Sequence, residues 1–208
     1  MTYLRLGCSI FQSIFMRFSL FISFIVPFLF ISCTDKRVEK DLKRIMGQQI
    51  TLSSDWSTIF EGKDTVLTSF TDVPIKLVIW YDSFSCGACE ASKMSMWRNM
   101  VAYADSLAQW FSIIYLFSPR KIDLYRVIMT LKAEEFNYPV FIDQTADFVK
   151  QNPNLPPNPQ LHSFLLDKNN RVVLVGNPLY NPSLWALYKR TIQTMIANDG
   201  LLPVPEKK

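Results

Sequence analysis

Two stretches of the chain are dominated by apolar residues, many of them β-branched or aromatic. They are Lys76–Asp82 and Phe111–Phe117. Apolar runs of this length are typical of strands that are buried on both faces of a sheet. Between them, from Gly87 to about Leu107, apolar residues recur at spacings of three and four, which predicts a helix with one buried face. That face carries Met94, Trp97, Val101, Ala104 and Ala108.

The rest of the pattern predicts shorter elements. They are a helix over Val38–Met46, a first strand over Gln49–Ser53, helices over Lys121–Glu135 and Thr145–Gln151, a strand over Tyr138–Asp143, and a hairpin of His162–Asp167 and Val172–Val175. The predicted buried stripe of the helix over Lys121–Glu135 continues just past its end and consists of Ile122, Tyr125, Met129 and Phe136. Pro182 fits the first turn of a closing helix, whose predicted buried face holds Leu184, Leu187, Tyr188, Ile192 and Met195. The order β-α-β-α followed by β-β-α predicts an α/β domain with a mixed central sheet flanked by helices.

The N-terminal segment has the pattern of a lipoprotein signal peptide. Phe18–Ile31 is almost wholly apolar, follows Arg17 and ends beside Ser32–Cys33. A basic residue, an apolar core and a small residue before a cysteine form such a signal. We therefore predict cleavage before Cys33 and attachment of lipid to its thiol. The alternative is an uncleaved membrane anchor, which is disfavoured because the apolar run is short for a membrane span.

A second methionine, Met16, precedes a complete leader. Met16 is accordingly the predicted start, Met1–Phe15 would be upstream sequence, and Cys8 would then have no role. The predicted organisation is a signal peptide over residues 1–32, a lipid anchor and tether over 33–48, one domain over 49–200 and a tail over 201–208. One domain is the expectation for 208 residues.

Charge excludes one class of function. The formal net charge is +4 over the whole chain, and the leader contributes Arg5 and Arg17 without any acid, so the remainder is nearly balanced. No basic patch is dense enough to indicate nucleic-acid binding.

Two cysteines mark the candidate chemistry. Cys86 and Cys89 stand in the sequence Cys-Gly-Ala-Cys, where the predicted strand Lys76–Asp82 passes into the predicted helix. Unpaired N–H groups at a helix N-terminus favour a thiolate over a thiol, which predicts that Cys86 is the exposed attacking thiol. Cys89 lies about one turn further into the helix and is predicted to face inward and to act as the resolving thiol. The spacing of the two cysteines allows their sulfurs to bond.

The strand, short turn, Cys-x-x-Cys and long helix together resemble the active site of the thioredoxin-like superfamily, and are most similar to TlpA-like thiol–disulfide proteins, which are bacterial lipoproteins. The resemblance covers about Ile50 to Ile196. It implies a thioredoxin-like fold and a thiol–disulfide oxidoreductase in which Cys86 and Cys89 are catalytic and form a redox-active disulfide. It also implies a lipid-anchored protein that faces the periplasm, a protein thiol or disulfide as substrate, a protein redox partner, and no organic cofactor.

The sequence departs from the family pattern at several positions. The family's cis-proline would align with Leu161, and Pro159 lies two residues earlier. The buried acid that thioredoxins carry six residues before the first cysteine is Trp80 here, and the tryptophan directly before that cysteine is Ser85. Asp82 and Glu90 lie nearby but match no family position. They are predicted to be solvated surface acids, and the chain's single histidine, His162, is predicted to be satisfied by backbone or water.

Two other classes of function remain open. A copper-binding protein of the Sco-like kind would use Cys86, Cys89 and His162, although Sco-like cysteines are normally spaced more widely. A non-catalytic interaction module would keep Cys86–Cys89 as a fixed staple. A structural zinc site is not expected, because one Cys-x-x-Cys supplies only half of the ligands that zinc needs.

Overall fold

The computed structural model describes residues 36–53, 55–65 and 71–203. The predicted signal peptide, with Cys8 and Cys33, lies outside the described residues. The chain divides into two units, Met1–Asp41 and Leu42–Lys208, and every strand and all helices from residue 87 onward belong to the second. Residues 36–45 form helix α1, close to the helix predicted over Val38–Met46.

Among the described residues of the second unit, seven strands form one sheet. The strands are β1 Ser57–Phe60, β2 Lys63–Thr65, β3 Ile75–Tyr81, β4 Phe111–Phe117, β5 Val140–Ile142, β6 Ser163–Leu166 and β7 Val172–Val175. Their order across the sheet is β2-β1-β5-β4-β3-β6-β7. β3, β4 and β5 run parallel, whereas β6 pairs antiparallel with β3 and β7 pairs antiparallel with β6.

Helices cover both faces of this sheet. They are α2 Gly87–Ala91, a 3₁₀ turn Met94–Trp97, α3 Arg98–Asp105, α4 Leu124–Glu134, α5 Asp147–Gln151, a 3₁₀ turn Pro159–Leu161 and α6 Pro182–Ile196. Parallel strands with crossover helices, then an antiparallel hairpin and a closing helix, form a thioredoxin-like fold. The predicted fold class is therefore confirmed.

Alternation along the central strands divides the core into two layers. Leu77, Ile79 and Tyr81 of β3 point toward α2, α3, α4 and α6, whereas Val78 and Trp80 point toward α5. Both faces of the central sheet are covered, because all seven positions of β3 and of β4 are buried. The two most apolar runs of the sequence are thus the two central strands, as their composition predicts.

Three sequence predictions about these elements are wrong in part. The long helix predicted from Gly87 is broken after Ala91, where hydrogen bonds from Lys93 N to Glu90 O and from Met96 N to Lys93 O tighten the backbone into a 3₁₀ turn. Gln49–Ser53 is not a strand: only Gln49 forms an isolated bridge, with Arg171.

The third concerns the buried stripe of α4. Ile122 is 83% exposed and Tyr125 76% exposed, and Met129 is exposed as well. Val127 and Leu131 face the core instead. On the closing helix, Tyr188, Ile192 and Met195 are buried as predicted, whereas Leu187 is exposed.

Among the described residues, no helix is long and apolar enough to cross a membrane.

Candidate functional site

The cysteine pair lies where β3 passes into α2. β3 ends at Tyr81, a turn follows, and Cys86 is the N-cap residue of α2. Because β3, β4 and β5 are parallel, this turn lies at the edge of the sheet where their carboxyl ends meet. That edge is the usual place for sites in sheets of this kind. The sequence prediction of a strand-to-helix junction at Cys86 is confirmed.

Cys86 and Cys89 form a disulfide. Their sulfurs are 2.03 Å apart and their Cα atoms 5.2 Å apart. Both residues are exposed, so the prediction that Cys89 faces inward is wrong. The reason is helical geometry: Gly87 and Ala91, four positions apart, form the buried side of α2, and Cys89 lies midway between them on the opposite side. A thiolate from another molecule can therefore approach the disulfide from solvent.

Gly87 brings α2 into close contact with α4. A Cβ atom at this position would lie 2.9 Å from Cγ2 of Val127, closer than carbon atoms pack, and 3.8 Å from Cδ1 of Phe117. Val127 and Phe117 are both fully buried. The glycine between the two cysteines thus allows α2 to lie directly on the core, which fixes the position of the disulfide.

Asp82 shapes the turn that leads to Cys86. Its Oδ1 accepts hydrogen bonds from the backbone N of Phe84 (3.1 Å) and from both the backbone N (2.8 Å) and Oγ (2.7 Å) of Ser85. Asp82 is only 6% exposed, so the prediction of a solvated surface acid is wrong for this residue. An aspartate that bonds to backbone N–H groups two and three residues ahead stabilises a tight turn.

Glu90 behaves as the sequence predicts. Its carboxylate is partly exposed and pairs with Lys93 at 3.0 Å, three residues further along. A pair of this kind on the surface contributes little to stability.

His162 lies beneath the same turn and is 2% exposed. Its Nε2 is 2.8 Å from the backbone oxygen of Pro156, and its ring stacks on Trp80 with a centroid distance of 4.2 Å. Since a carbonyl oxygen only accepts, Nε2 carries a hydrogen. The other nitrogen, Nδ1, has no hydrogen-bond partner and faces Oδ2 of Asp82 at 3.7 Å. The predicted backbone contact is confirmed for one ring nitrogen, and the fold adds a buried carboxylate beside the other.

Only half of this pair could be read from local sequence. Asp82-Ser83-Phe84-Ser85 before a helix is a recognisable turn signal that could have indicated the capping role of Asp82. Nothing local connects residue 82 with residue 162. They meet because β6 pairs antiparallel with β3, which places His162 opposite Trp80, with a hydrogen bond from Trp80 N to His162 O of 2.9 Å.

Pro159 and Leu161, the two positions that the sequence offers for the cis-proline of thioredoxin-like proteins, lie in one turn before β6. Pro159–Leu161 is a 3₁₀ turn capped by the side chain of Asn158, and Leu161 is buried. No peptide bond among the described residues is cis.

A groove opens beside the turn of residues 82–85. It has a volume of about 260 Å³ and lies between the turn, α5 and the proline-rich loop of residues 152–158. Phe84, 93% exposed, forms one wall, and the opposite wall includes Val149, Leu155 and Pro156. Asp82 and His162 lie at its polar end. A groove of this size and lining can accommodate an apolar side chain.

Metal binding has no support from the arrangement. In the part of the chain that the structure describes, no group of three or more His, Cys, Asp or Glu side chains is placed to hold a metal ion. His162, which the copper alternative requires, directs Nε2 at Pro156 and Nδ1 at Asp82.

The buried histidine gives a testable dependence of stability on pH. Burial lowers the pKa of His162 from its ordinary value of 6.5, and the Pro156 hydrogen bond and the Asp82 charge oppose that shift. The unfolded chain therefore binds a proton near pH 6.5 that the folded chain still excludes. We expect the free energy of unfolding to fall as pH falls through about 6.5, by no more than about 1.4 kcal/mol per pH unit.

Urea unfolding of the wild type and of His162→Gln between about pH 7.5 and 5 checks this expectation. The variant should lack the histidine's part of the decline. An identical decline in both proteins would assign it to other groups.

Comparison with known proteins gives similarity to solved structures. A candidate protein disulfide isomerase from Bacteroides thetaiotaomicron is 20% identical, with a TM-score of 0.47 and coverage of 73% of this chain and 90% of that one. A candidate thiol:disulfide interchange protein DsbE from Chlorobium tepidum is 17% identical, with a TM-score of 0.47 and coverage of 71% and 97%.

A domain of a possible thiol-disulfide isomerase from Cytophaga hutchinsonii is 14% identical, with a TM-score of 0.44 and coverage of 72% and 96%. At identities of this size the similarity concerns the fold alone. No protein-family model matches the chain, and no curated protein matches it.

Proposed function

We propose that this chain is a thiol–disulfide oxidoreductase that works through Cys86 and Cys89. The observation that carries the proposal is the exposed disulfide at the N-terminus of α2, held at the carboxyl edge of a thioredoxin-like sheet. A purely structural staple gains nothing from exposure of both of its cysteines, whereas an exchange catalyst requires access to sulfur.

The reaction follows from the pair itself. In the reduced form, the Cys86 thiolate attacks one sulfur of a substrate disulfide, which forms a mixed disulfide and releases the other substrate sulfur as a thiolate. Cys89, deprotonated, then attacks Sγ of Cys86, closes the internal disulfide and releases the second substrate thiolate. The substrate gains two electrons and the cysteine pair loses two. The same steps in reverse oxidise a substrate dithiol.

Cellular placement is part of the proposal. The leader pattern before Cys33 supports a lipid anchor in a bacterial envelope with the domain facing the periplasm, where disulfides form readily. The substrate would be a protein thiol or disulfide, and a second redox protein would restore the pair. No organic cofactor is needed, because the electrons move between sulfur atoms.

The reduction potential of the full chain tests the proposal. The protein is equilibrated in dithiothreitol buffers of graded ratio, and the Cys86–Cys89 pair is quantified by alkylation and mass spectrometry. We expect a potential within the span of exchange catalysts, about −270 to −120 mV. The Cys8→Ser/Cys33→Ser variant is the control and should give the same value.

A potential below about −300 mV with a Cys86 thiol that resists alkylation after reduction would contradict the proposal. It would assign the pair to the role of a fixed staple.

A further inference from the structure

The unsatisfied nitrogen of His162 is the feature that the exchange reaction leaves unexplained. The hydrogen on Nε2 is committed to Pro156, so in the neutral ring Nδ1 carries only a lone pair. That lone pair faces Oδ2 of Asp82 at 3.7 Å, and the side chains of both residues are more than nine-tenths buried. Two acceptors that face each other at this distance repel, and one proton between them removes the conflict.

The carboxylate is used asymmetrically. All of the hydrogen bonds to Phe84 and Ser85 end on Oδ1. Oδ2 is therefore the oxygen that is left for His162. A proton taken up on that side leaves the turn intact, and it changes the net charge of the pair from −1 to zero beside Ser85, the residue before Cys86.

We propose that Asp82 and His162 bind one proton between Oδ2 and Nδ1, and that they bind it more tightly when Cys86 and Cys89 are reduced. The coupling follows from charge: Cys86 directly follows Ser85, which bonds to the Asp82 carboxylate, and a thiolate on Cys86 and that carboxylate disfavour each other. Neutralising the pair stabilises the thiolate, and by reciprocity the thiolate strengthens proton binding to the pair. Asp82 and His162 act here as positioning residues for the redox cysteines.

The proton balance of reduction becomes specific. A dithiol such as dithiothreitol gives two electrons to the Cys86–Cys89 bond and releases two protons as it closes to its own disulfide. One proton goes to Cys89. While Cys86 remains a thiolate, part of the second proton is taken up by the Asp82–His162 pair and the rest goes to solvent. This inference rests on the proposed function only in that the two cysteines cycle between disulfide and dithiol.

The other polar and charged groups around the pair belong to four elements: β4, α5, α2 and the proline-rich loop. The end of β4 offers Ser118, which donates to the buried Asp143 and accepts from Trp80 Nε1. Asp143 is held by backbone N–H groups of α5. Two ion pairs lie on the helices near the Asp82–His162 pair. Asp147 pairs with Lys150 on α5, and Glu90 pairs with Lys93 at the end of α2. The proline-rich loop contributes the Pro156 carbonyl.

The chain has a single histidine, so its ring signals are unambiguous. We would follow the ring ¹⁵N and ¹³C resonances of His162 in the full chain against pH, first as the disulfide and then after reduction with dithiothreitol. The proton affinity of His162 should be at least about twofold higher in the reduced protein. The proton should be gained on Nδ1 and not on Nε2.

Asp82→Asn is the decisive variant. The amide keeps an oxygen for the turn and presents an N–H to Nδ1. It therefore imitates the protonated pair, which also has no net charge. The proton affinity of His162 should then be the same in the oxidised and the reduced variant. Alkylation of Cys86 at a series of pH values should show a lower thiol pKa than in wild type. Glu90→Gln, which removes a partly exposed carboxylate next to Cys89, is the matched control and should retain the difference.

Equal His162 titration in the two redox states of the wild type would overturn the inference, and this measurement does not depend on the folding of any variant. Failure of the proposed function looks different, because it appears as a reduction potential below about −300 mV. A working potential with a redox-insensitive His162 would overturn only the inference.

Discussion

Cys86→Ser is expected to abolish exchange activity, with a loss of at least about a thousandfold. A serine hydroxyl at this position is not ionised at neutral pH and cannot form the mixed disulfide. Reduction of insulin by dithiothreitol, followed by turbidity in the presence of wild type or variant, measures the loss. The fold should persist, because Cys86 is exposed and the disulfide that is lost spans only three positions of the chain.

Cys89→Ser should fail in a different way. Cys86 keeps its attacking thiolate, so a mixed disulfide with the substrate forms, but no thiol remains to resolve it. We expect a covalent complex on non-reducing gels, in a background that lacks Cys8 and Cys33, and its loss on addition of reductant. Because both cysteines are exposed, the opposite result is a real alternative: a complex trapped only in Cys86→Ser would make Cys89 the attacking residue.

The central strands could be read from the sequence because burial on both faces leaves little choice of residue. Ile75–Tyr81 and Phe111–Phe117 match the predicted strands to within a residue. The junction at Cys86 followed from the change of period between strand and helix. These features depend on local pattern alone, and for that reason they did not require knowledge of the fold.

The stripe of α4 shows why pattern alone fails elsewhere. Two apolar stripes run along this helix, and the fuller one consists of Leu124, Val127, Ile128 and Leu131, which lie on the core. The predicted stripe is exposed at Ile122, Tyr125 and Met129, whereas Phe136, just past the end of the helix, is buried as predicted. Counting both stripes over the same window favours the buried set, so the signal was present. What remains at the surface is an apolar patch that composition cannot distinguish from core.

Gln49–Ser53 fails for a related reason. Its residues alternate as in a strand, but Ile50 N bonds to Asn170 O at 2.8 Å and Thr51 N bonds to the Asn152 side chain at 2.8 Å. The segment is thus held by loops that are distant in sequence, and no local pattern predicts such partners. The Asp82–His162 pair belongs to the same class, since it depends on the pairing of β3 with β6.

Gly87→Ala is the prediction that ties the redox pair to the core. The added Cβ would lie 2.9 Å from Cγ2 of Val127, a β-branched side chain with no exposed surface and little freedom to move. We expect a loss of about 1–3 kcal/mol in the free energy of unfolding, although alanine is the better helix former. Urea unfolding of the oxidised protein measures it.

A double-mutant cycle separates this contact from any general effect of the alanine. In a Val127→Ala background the space beside residue 87 is open, so Gly87→Ala should cost at least about 1 kcal/mol less than it does in wild type. Val101→Ala, a buried valine on α3, is the matched control and should leave the cost of Gly87→Ala unchanged within about 0.5 kcal/mol. If Gly87→Ala lowered the free energy of unfolding equally in all three backgrounds, α2 would not rest on Val127. Gly87 would then have no part in positioning the disulfide.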